Sequence, residues 1–354
     1  MNRRSFLILV AVVLVMVGLL YTQPNDVRQR QQQRILPGLS AVLNDVEKVT
    51  VVGAGNEAIA TLQRGDPFWT LAERDGYRAD VGRIRRNLIA LSEARVLEQK
   101  TTDPALHARL GVEDLADADA TGREFIIEAP SGSFRLIVGN TDVRGGMAYV
   151  RRPDAAQSFL VSARLDPGDS TIDWLERDLL DIEAGRIHSV TVTHPDGEVL
   201  RIEKATREAD AFTLADMPQG RELQYPTVLN PMSTLLAGLT IDDVAVAADV
   251  DEGDAAPVLV RFETFDGLVI EVRIAEADGE PRAGFTAVAD EALAAEFAAP
   301  DAAGGRPGDG LSVAAVNEEA QRLNEKFGGW SYTLPSFKTD QLTRRLEDVL
   351  KPAE

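Results

Sequence analysis

The residues most suggestive of chemistry are Gly53-Ala-Gly55-Asn-Glu-Ala58, which follow an apolar run and fit the Gly-x-Gly-x-x-Ala pattern of a dinucleotide site. Glu73 stands about 20 residues on, where such a site keeps a carboxylate for a ribose hydroxyl. That chemistry needs a helix directly after the glycines, because its free N-terminal amides hold the pyrophosphate. Here Ile59-Ala-Thr-Leu62 follows and then Gln-Arg-Gly-Asp-Pro67, too short and too broken for that helix. The segment is therefore read as a hairpin turn.

The chain has three histidines. His188 and His194 are in phase along one predicted strand, but six residues of extended chain separate them by about 20 Å, too far to share a metal ion. His107 lies in a short predicted helix opened by Asp103 and stopped by Gly111. All three are read as surface or packing residues. Asp249-Val-Asp251-Glu-Gly-Asp254 hints at a calcium loop, but its fifth and sixth positions reverse the oxygen ligand and glycine of an EF-hand, and no glutamate stands at the twelfth. It is read as a solvated acidic turn. No Gly-x-Ser-x-Gly, Walker, His-Glu-x-x-His or kinase signature is present. Catalytic, cofactor-binding and metal-binding residues are accordingly assigned as none, with no cofactor and no enzymatic activity expected.

These segments are carried by a 354-residue chain with 44% apolar and 27% charged residues, a globular balance with room for two domains. Its formal charge is −20, and residues 1–40 contribute five arginines against Asp26, so residues 41–354 hold −24. Such a body repels nucleic acid and anionic headgroups. The absence of cysteine excludes disulfides, thiolate nucleophiles and zinc–thiolate sites, and suits an oxidising compartment.

Between Arg4 and Asp26 no residue is charged. As a helix, Ser5 to Thr22 spans about 27 Å, close to the hydrocarbon thickness of a bilayer. The run ends Leu19-Leu20-Tyr21-Thr22-Gln23-Pro24, without the small residues of a signal-peptidase site, so an uncleaved anchor is expected. Arg3 and Arg4 place the N-terminus in the cytoplasm and the bulk of the chain in the periplasm of a bacterial inner-membrane protein.

Beyond the anchor one order of elements occurs twice. Val49-Thr50-Val51 matches Val190-Thr191-Val192 at an offset of 141 residues, and hairpins around Ser131-Gly132 and Asp266-Gly267 follow a helix in each copy. Val81, Ile84, Leu88 and Leu91 after Asp80 predict the first helix; Leu235, Leu236 and Leu239 mark the second. Ser158-Phe-Leu-Val-Ser162 resembles Ser331-Tyr-Thr-Leu-Pro335 at an offset of 173, against 135 for the two hairpin turns, so the second copy carries an insert of 38 residues, within about Asp290 to Trp330.

The expected fold class is α+β: an N-terminal transmembrane helix followed by two related β-rich α+β modules, a diverged tandem repeat. The predicted segments are a cytoplasmic tail (1–4), the anchor (5–22), a juxtamembrane spacer (23–45), a first module (46–170), a connecting helix (171–186) and a second module (187–354). A mobile Gly/Pro-rich loop is expected over 299–311, and a closing helix over Asp340 to Leu350.

Several motifs arrive in one order: Leu36-Pro-Gly-Leu39, Trp69-Thr-Leu71, a helix ending near Glu98 and Thr101, Leu110-Gly-Val112, Leu136-Ile-Val-Gly139, Ala148-Tyr-Val-Arg151 and Trp174-Leu-Glu-Arg-Asp-Leu-Leu180. With the apolar N-terminal run, they resemble the membrane-anchored bacterial family catalogued as domain of unknown function 4340. The resemblance implies an auxiliary protein of gliding-motility-type ABC transport systems and brings no catalytic residues. The expected partners are the inner membrane, through residues 5–22, and a transporter permease or envelope protein, with no nucleic acid. Two other function classes stand beside this one: a periplasmic ligand- or polymer-binding module using a groove between the repeats, and an envelope hydrolase. Convergent carboxylates in a pocket would favour the hydrolase, and an exposed apolar patch would favour partner binding.

Overall fold

Apolar side chains alternate with polar ones along most strands, and that period-two pattern buries one face of each sheet. The computed structural model describes residues 33–143, 145–209, 211–250, 255–277, 279–297 and 312–352. The chain divides into two units at Trp174/Leu175.

The first unit contains β1 (Lys48–Val52), β2 (Ala58–Arg64), β3 (Trp69–Leu71), β4 (Tyr77–Arg78), helix α1 (Val81–Glu93), β5 (Val96–Gln99), β6 (Arg123–Ala129), β7 (Gly132–Thr141), β8 (Ala148–Arg151) and β9 (Ser158–Val161). Asp80 caps α1 as its sequence predicts, accepting from Arg83 N at 2.8 Å. Ile84, Leu88 and Leu91 form its buried stripe. Trp174 is fully buried in this unit, edge-on to Phe125 at 6.2 Å, and its indole N–H donates to Pro167 O at 3.1 Å.

The second unit contains β10 (Asp178–Leu180), β11 (Ile187–Thr193), β12 (Val199–Glu203), β13 (Thr213–Leu214), α2 (Asn230–Ser233), β14 (Leu239–Thr240), β15 (Asp243–Val246), β16 (Val258–Thr264), β17 (Leu268–Ala277), β18 (Glu280–Ala289), α3 (Glu291–Glu296), α4 (Val313–Phe327), β19 (Trp330–Thr333) and α5 (Ser336–Leu342). The protein is thus a β-rich α+β molecule with few helices.

Among the described residues, the first sheet runs β4-β3-β2-β1-β6-β7-β8-β9-β5 and the second β13-β12-β11-β16-β17-β18-β19-β15, with antiparallel neighbours throughout. Leaving out the two-residue β4 and numbering the strands of each sheet along the chain, both read 3-2-1-5-6-7-8-4. The insert of the second unit lies between β18 and β19, where the sequence offsets place it. It carries α3 and α4, and the Asn324 side chain on α4 pairs with β18 beyond its contact with β19, accepting from Ala287 N at 2.8 Å and donating to Ala287 O at 2.7 Å. The expected loop over 299–311 lies outside the described residues.

Several expectations are corrected. Residues 33–45 are not spacer: Ile35, Leu36 and Leu39 are buried in the first unit. The connecting helix over 171–186 is a 3-10 turn at Thr171–Trp174, the strand β10 paired with β14, and a second 3-10 turn at Ala184–Arg186. In the second unit, α2 has four residues, with Leu235, Leu236 and Leu239 buried beyond it. α1 ends at Glu93, and Glu98 lies in β5. The closing helix is α5 followed by a 3-10 turn at Leu346–Asp348. The expected anchor, residues 5–22, lies outside the described residues, among which no helix is long and apolar enough to cross a membrane.

Candidate functional site

The amides of the Gly53 segment are already engaged. A 3-10 turn over Ala54–Asn56 joins antiparallel β1 and β2, with Gly55 N donating to Asp117 O at 3.2 Å and Asn56 N to Leu115 O at 2.9 Å. Glu73 accepts from the Thr61 amide in β2 at 2.7 Å. Both halves of the dinucleotide motif are parts of a hairpin.

Each of the three histidines has a backbone carbonyl as partner. His107 Nε2 meets Ala156 O at 2.9 Å, His188 Nδ1 meets Lys204 O at 2.8 Å, and His194 Nε2 meets Arg344 O at 3.0 Å. The His188 ring also packs on Phe297 at 4.4 Å and Phe265 at 5.2 Å. Residues 251–254 of the acidic turn lie outside the described residues; among the described residues no group of three or more His, Cys, Asp or Glu is placed to hold a metal ion.

Three sequence motifs converge in the first unit. A Cβ at Gly139 would stand 2.2 Å from Leu110 O, and one at Gly122 2.4 Å from Gly111 O, so the Leu110–Val112 loop lies directly on β7. Buried Arg151, at the end of β8, donates through Nε to Val112 O at 2.6 Å and through Nη1 to Ala155 O at 3.0 Å. Beside this junction is a groove of about 360 Å3 lined by Lys100, Arg109, Leu106 and Tyr149.

The larger concavity is a trough of about 610 Å3 on the outward face of the second sheet. Strand register builds its floor. Thr193 faces Leu259, Leu259 faces Arg273, and Arg273 faces Gly284; in the next row Thr191 faces Arg261, Arg261 faces Glu271, and Glu271 faces Thr286. Gly284 leaves the floor open, with nothing within 4 Å of where a Cβ would stand. The insert supplies one wall through Phe327 at the end of α4 and the following Gly328 to Trp330. Leu259, and Val199 two strands away across Thr193, are half exposed, at 50% and 51%. Sequence reasoning missed these residues, although the alternation of β16 and the Asp266-Gly267 turn would have identified the outward set.

Arg261 in the trough floor and its partner Glu263 hold their charge. The Glu263 carboxylate, 2.8 Å from Arg261 Nε, raises that guanidinium's pKa against the cost of partial burial, and Glu271 adds a second contact at 2.7 Å. Burial pushes the Glu263 carboxyl up, but Arg261 and the Ser189 hydroxyl at 2.6 Å outweigh it and leave it below its ordinary value. Both shifts run away from neutrality, the opposite of what a general acid or base requires. The surface is suited to recognition by apolar contact and fixed charge.

No solved structure matches the chain. A family model described as Domain of unknown function (DUF4340) matches residues 69–258, just over half of the 354 residues, and the chain belongs to that family.

Proposed function

We propose that this protein is a membrane-anchored, periplasmic accessory subunit that works by contact, as an auxiliary component of an ABC-type transport system. The supporting observation is the trough of the second unit, where exposed Leu259 sits near ion-paired Arg261 and a wall ending in Trp330. An apolar centre with fixed charge around it is the anatomy of a protein-binding surface. The reading also takes residues 5–22 as the anchor, with the N-terminus cytoplasmic, and derives the two units from duplication of one module, which the shared strand order supports. The insert then gives the second copy a wall for which the first has no counterpart in sequence.

Leu259→Asp is the test. Because the side chain is half exposed, folding is expected to change by less than about 0.5 kcal/mol. Capture of the transporter permease from detergent-solubilised membranes is expected to weaken by about 2 kcal/mol, roughly thirty-fold. Unchanged capture of the permease by Leu259→Asp would remove the trough from the interface.

The second reading, a ligand-binding module, is favoured by the trough's volume, which falls in the range of small-molecule sites. It calls for a small molecule from the periplasm that competes with the permease and is lost with Leu259→Asp.

A further inference from the structure

The chain is strongly acidic, yet where its described part begins the side chains are basic. Ile35 N donates to Ala94 O at 2.9 Å and Val96 N to Gln33 O at 3.0 Å, so this segment adds to the outer edge of β5 and sets Arg34 opposite Arg95 in an antiparallel bridge. Residues so paired share a face with Cβ atoms about 4.5–5.5 Å apart, and like charges there are destabilising on their own. Arg152 joins them, its Nη2 donating to Ile35 O at 2.8 Å. Arg34 and Arg152 line one groove of about 270 Å3 together with Gln33, Gln99, Gln157 and Phe159. Among the described residues no carboxylate lies within ion-pair distance of Arg34, Arg95 or Arg152, and nearby Glu98 is held by Lys100 at 2.7 Å.

We propose that this patch at the β5 edge docks the first unit onto anionic phospholipid headgroups of the membrane that residues 5–22 enter. The proposal rests on the anchor reading, because chain length is what selects a lipid over any other anion. Only ten residues, 23–32, separate the apolar run from Gln33. Fully extended, they reach at most about 35 Å, so the patch is confined near the bilayer surface. Guanidinium groups match the phosphodiester in geometry and charge, glutamine amides match its ester and glycerol oxygens, and Phe159 offers an apolar floor. Residues 41–354 as a whole, at −24 with Arg95 and Arg152 included, are repelled by the same surface. A local basic patch on a repelled body fixes orientation more than it adds affinity.

The chain has no cysteine, so Ser162→Cys gives a single labelling site beside the patch; the native Ser162 hydroxyl accepts from Arg95 N at 3.2 Å. The full chain, labelled there with a fluorophore, is placed in nanodiscs carrying headgroup spin-labelled lipid. One set contains phosphatidylcholine and the other phosphatidylglycerol as well. Quenching is expected to be greater with phosphatidylglycerol. Arg95→Glu, an exposed substitution, and salt at about 0.5 M should each lower headgroup occupancy at least about five-fold, while Arg95→Lys retains it. A chain that enters the discs but shows quenching indifferent to lipid charge, salt and Arg95→Glu overturns the patch alone. A chain that never co-elutes with discs overturns the anchor reading and the patch with it.

Discussion

Arg186→Met is expected to destabilise the second unit by about 3–5 kcal/mol, because it leaves two carboxylates in place without their shared cation. The Arg186 guanidinium donates to Asp266 at 3.2 and 3.3 Å and to Glu319 at 3.0 and 2.9 Å, and the side chains of Asp266 and Glu319 are only 3% and 18% exposed. Three elements meet there: the turn before β11, the β16–β17 hairpin, and α4 of the insert. Burial lowers the Arg186 pKa, but Glu319 and Asp266 outweigh it and raise it overall. Burial raises that of Asp266, but the Thr264 hydroxyl and Arg186 outweigh it and hold the carboxyl below its ordinary range. A depressed carboxyl stabilises the fold above its unfolded pKa, about 3.9, and that contribution is lost as pH falls through the folded value. The melting temperature of the wild type should therefore fall as pH drops below about 4. In Arg186→Met this part of the acid dependence should shrink or reverse, since an unpaired buried carboxylate gains stability on protonation. A melting temperature unchanged by the substitution would show the network to be solvated.

Gly139→Ala is expected to destabilise the first unit by about 3 kcal/mol. The new Cβ would meet Leu110 O at 2.2 Å and Gly111 O at 2.6 Å, and both are backbone atoms of a loop held by Arg151 and His107. No rotamer change relieves such a contact. Gly146→Ala is the control: nothing lies within 4 Å of its Cβ position, and its effect should stay within about 0.5 kcal/mol. Hydrogen exchange of the β7 and β8 amides measures both. Equal protection in the two variants would mean that the loop moves aside freely.

The shared order of elements is legible because its signals are local. Asp80 before an apolar stripe, and Gly-containing turns between alternating runs, specify a helix and hairpins from neighbouring residues alone. What was not legible depends on distant partners. Leu175, Leu179 and Leu180 have helical spacing, yet Asp178 pairs with Thr240, and Arg177 Nε donates to Ile241 O at 2.7 Å, so tertiary pairing overrides the local pattern. β18 is hard to read from sequence because Pro281 and Gly284 interrupt its alternation, although Pro281 stands near the strand's start and Gly284 lies in the trough floor. The burial of Ile35, Leu36 and Leu39 was hidden by their position after an apolar run, where a spacer is the simplest expectation. The histidines and the Gly53 turn were legible as packing and hairpin, because spacing alone argued against a shared metal and against a cofactor helix. The trough was not, since its lining comes from five strands and the end of an inserted helix.

The claim that this is a tethered contact protein is tested most directly by separating the tether from the body. Residues 1–23 are replaced with a cleavable export signal, and permease capture in intact cells by the released chain is compared with that by the full chain after site-specific photo-crosslinking from Leu259. The expected result is a folded body in the osmotic-shock fraction whose crosslinking to the permease falls about 100-fold or more, because membrane confinement no longer raises its effective concentration. Equal crosslinking by the released and full-length chains, or a body that stays with the membrane without residues 1–23, would contradict it.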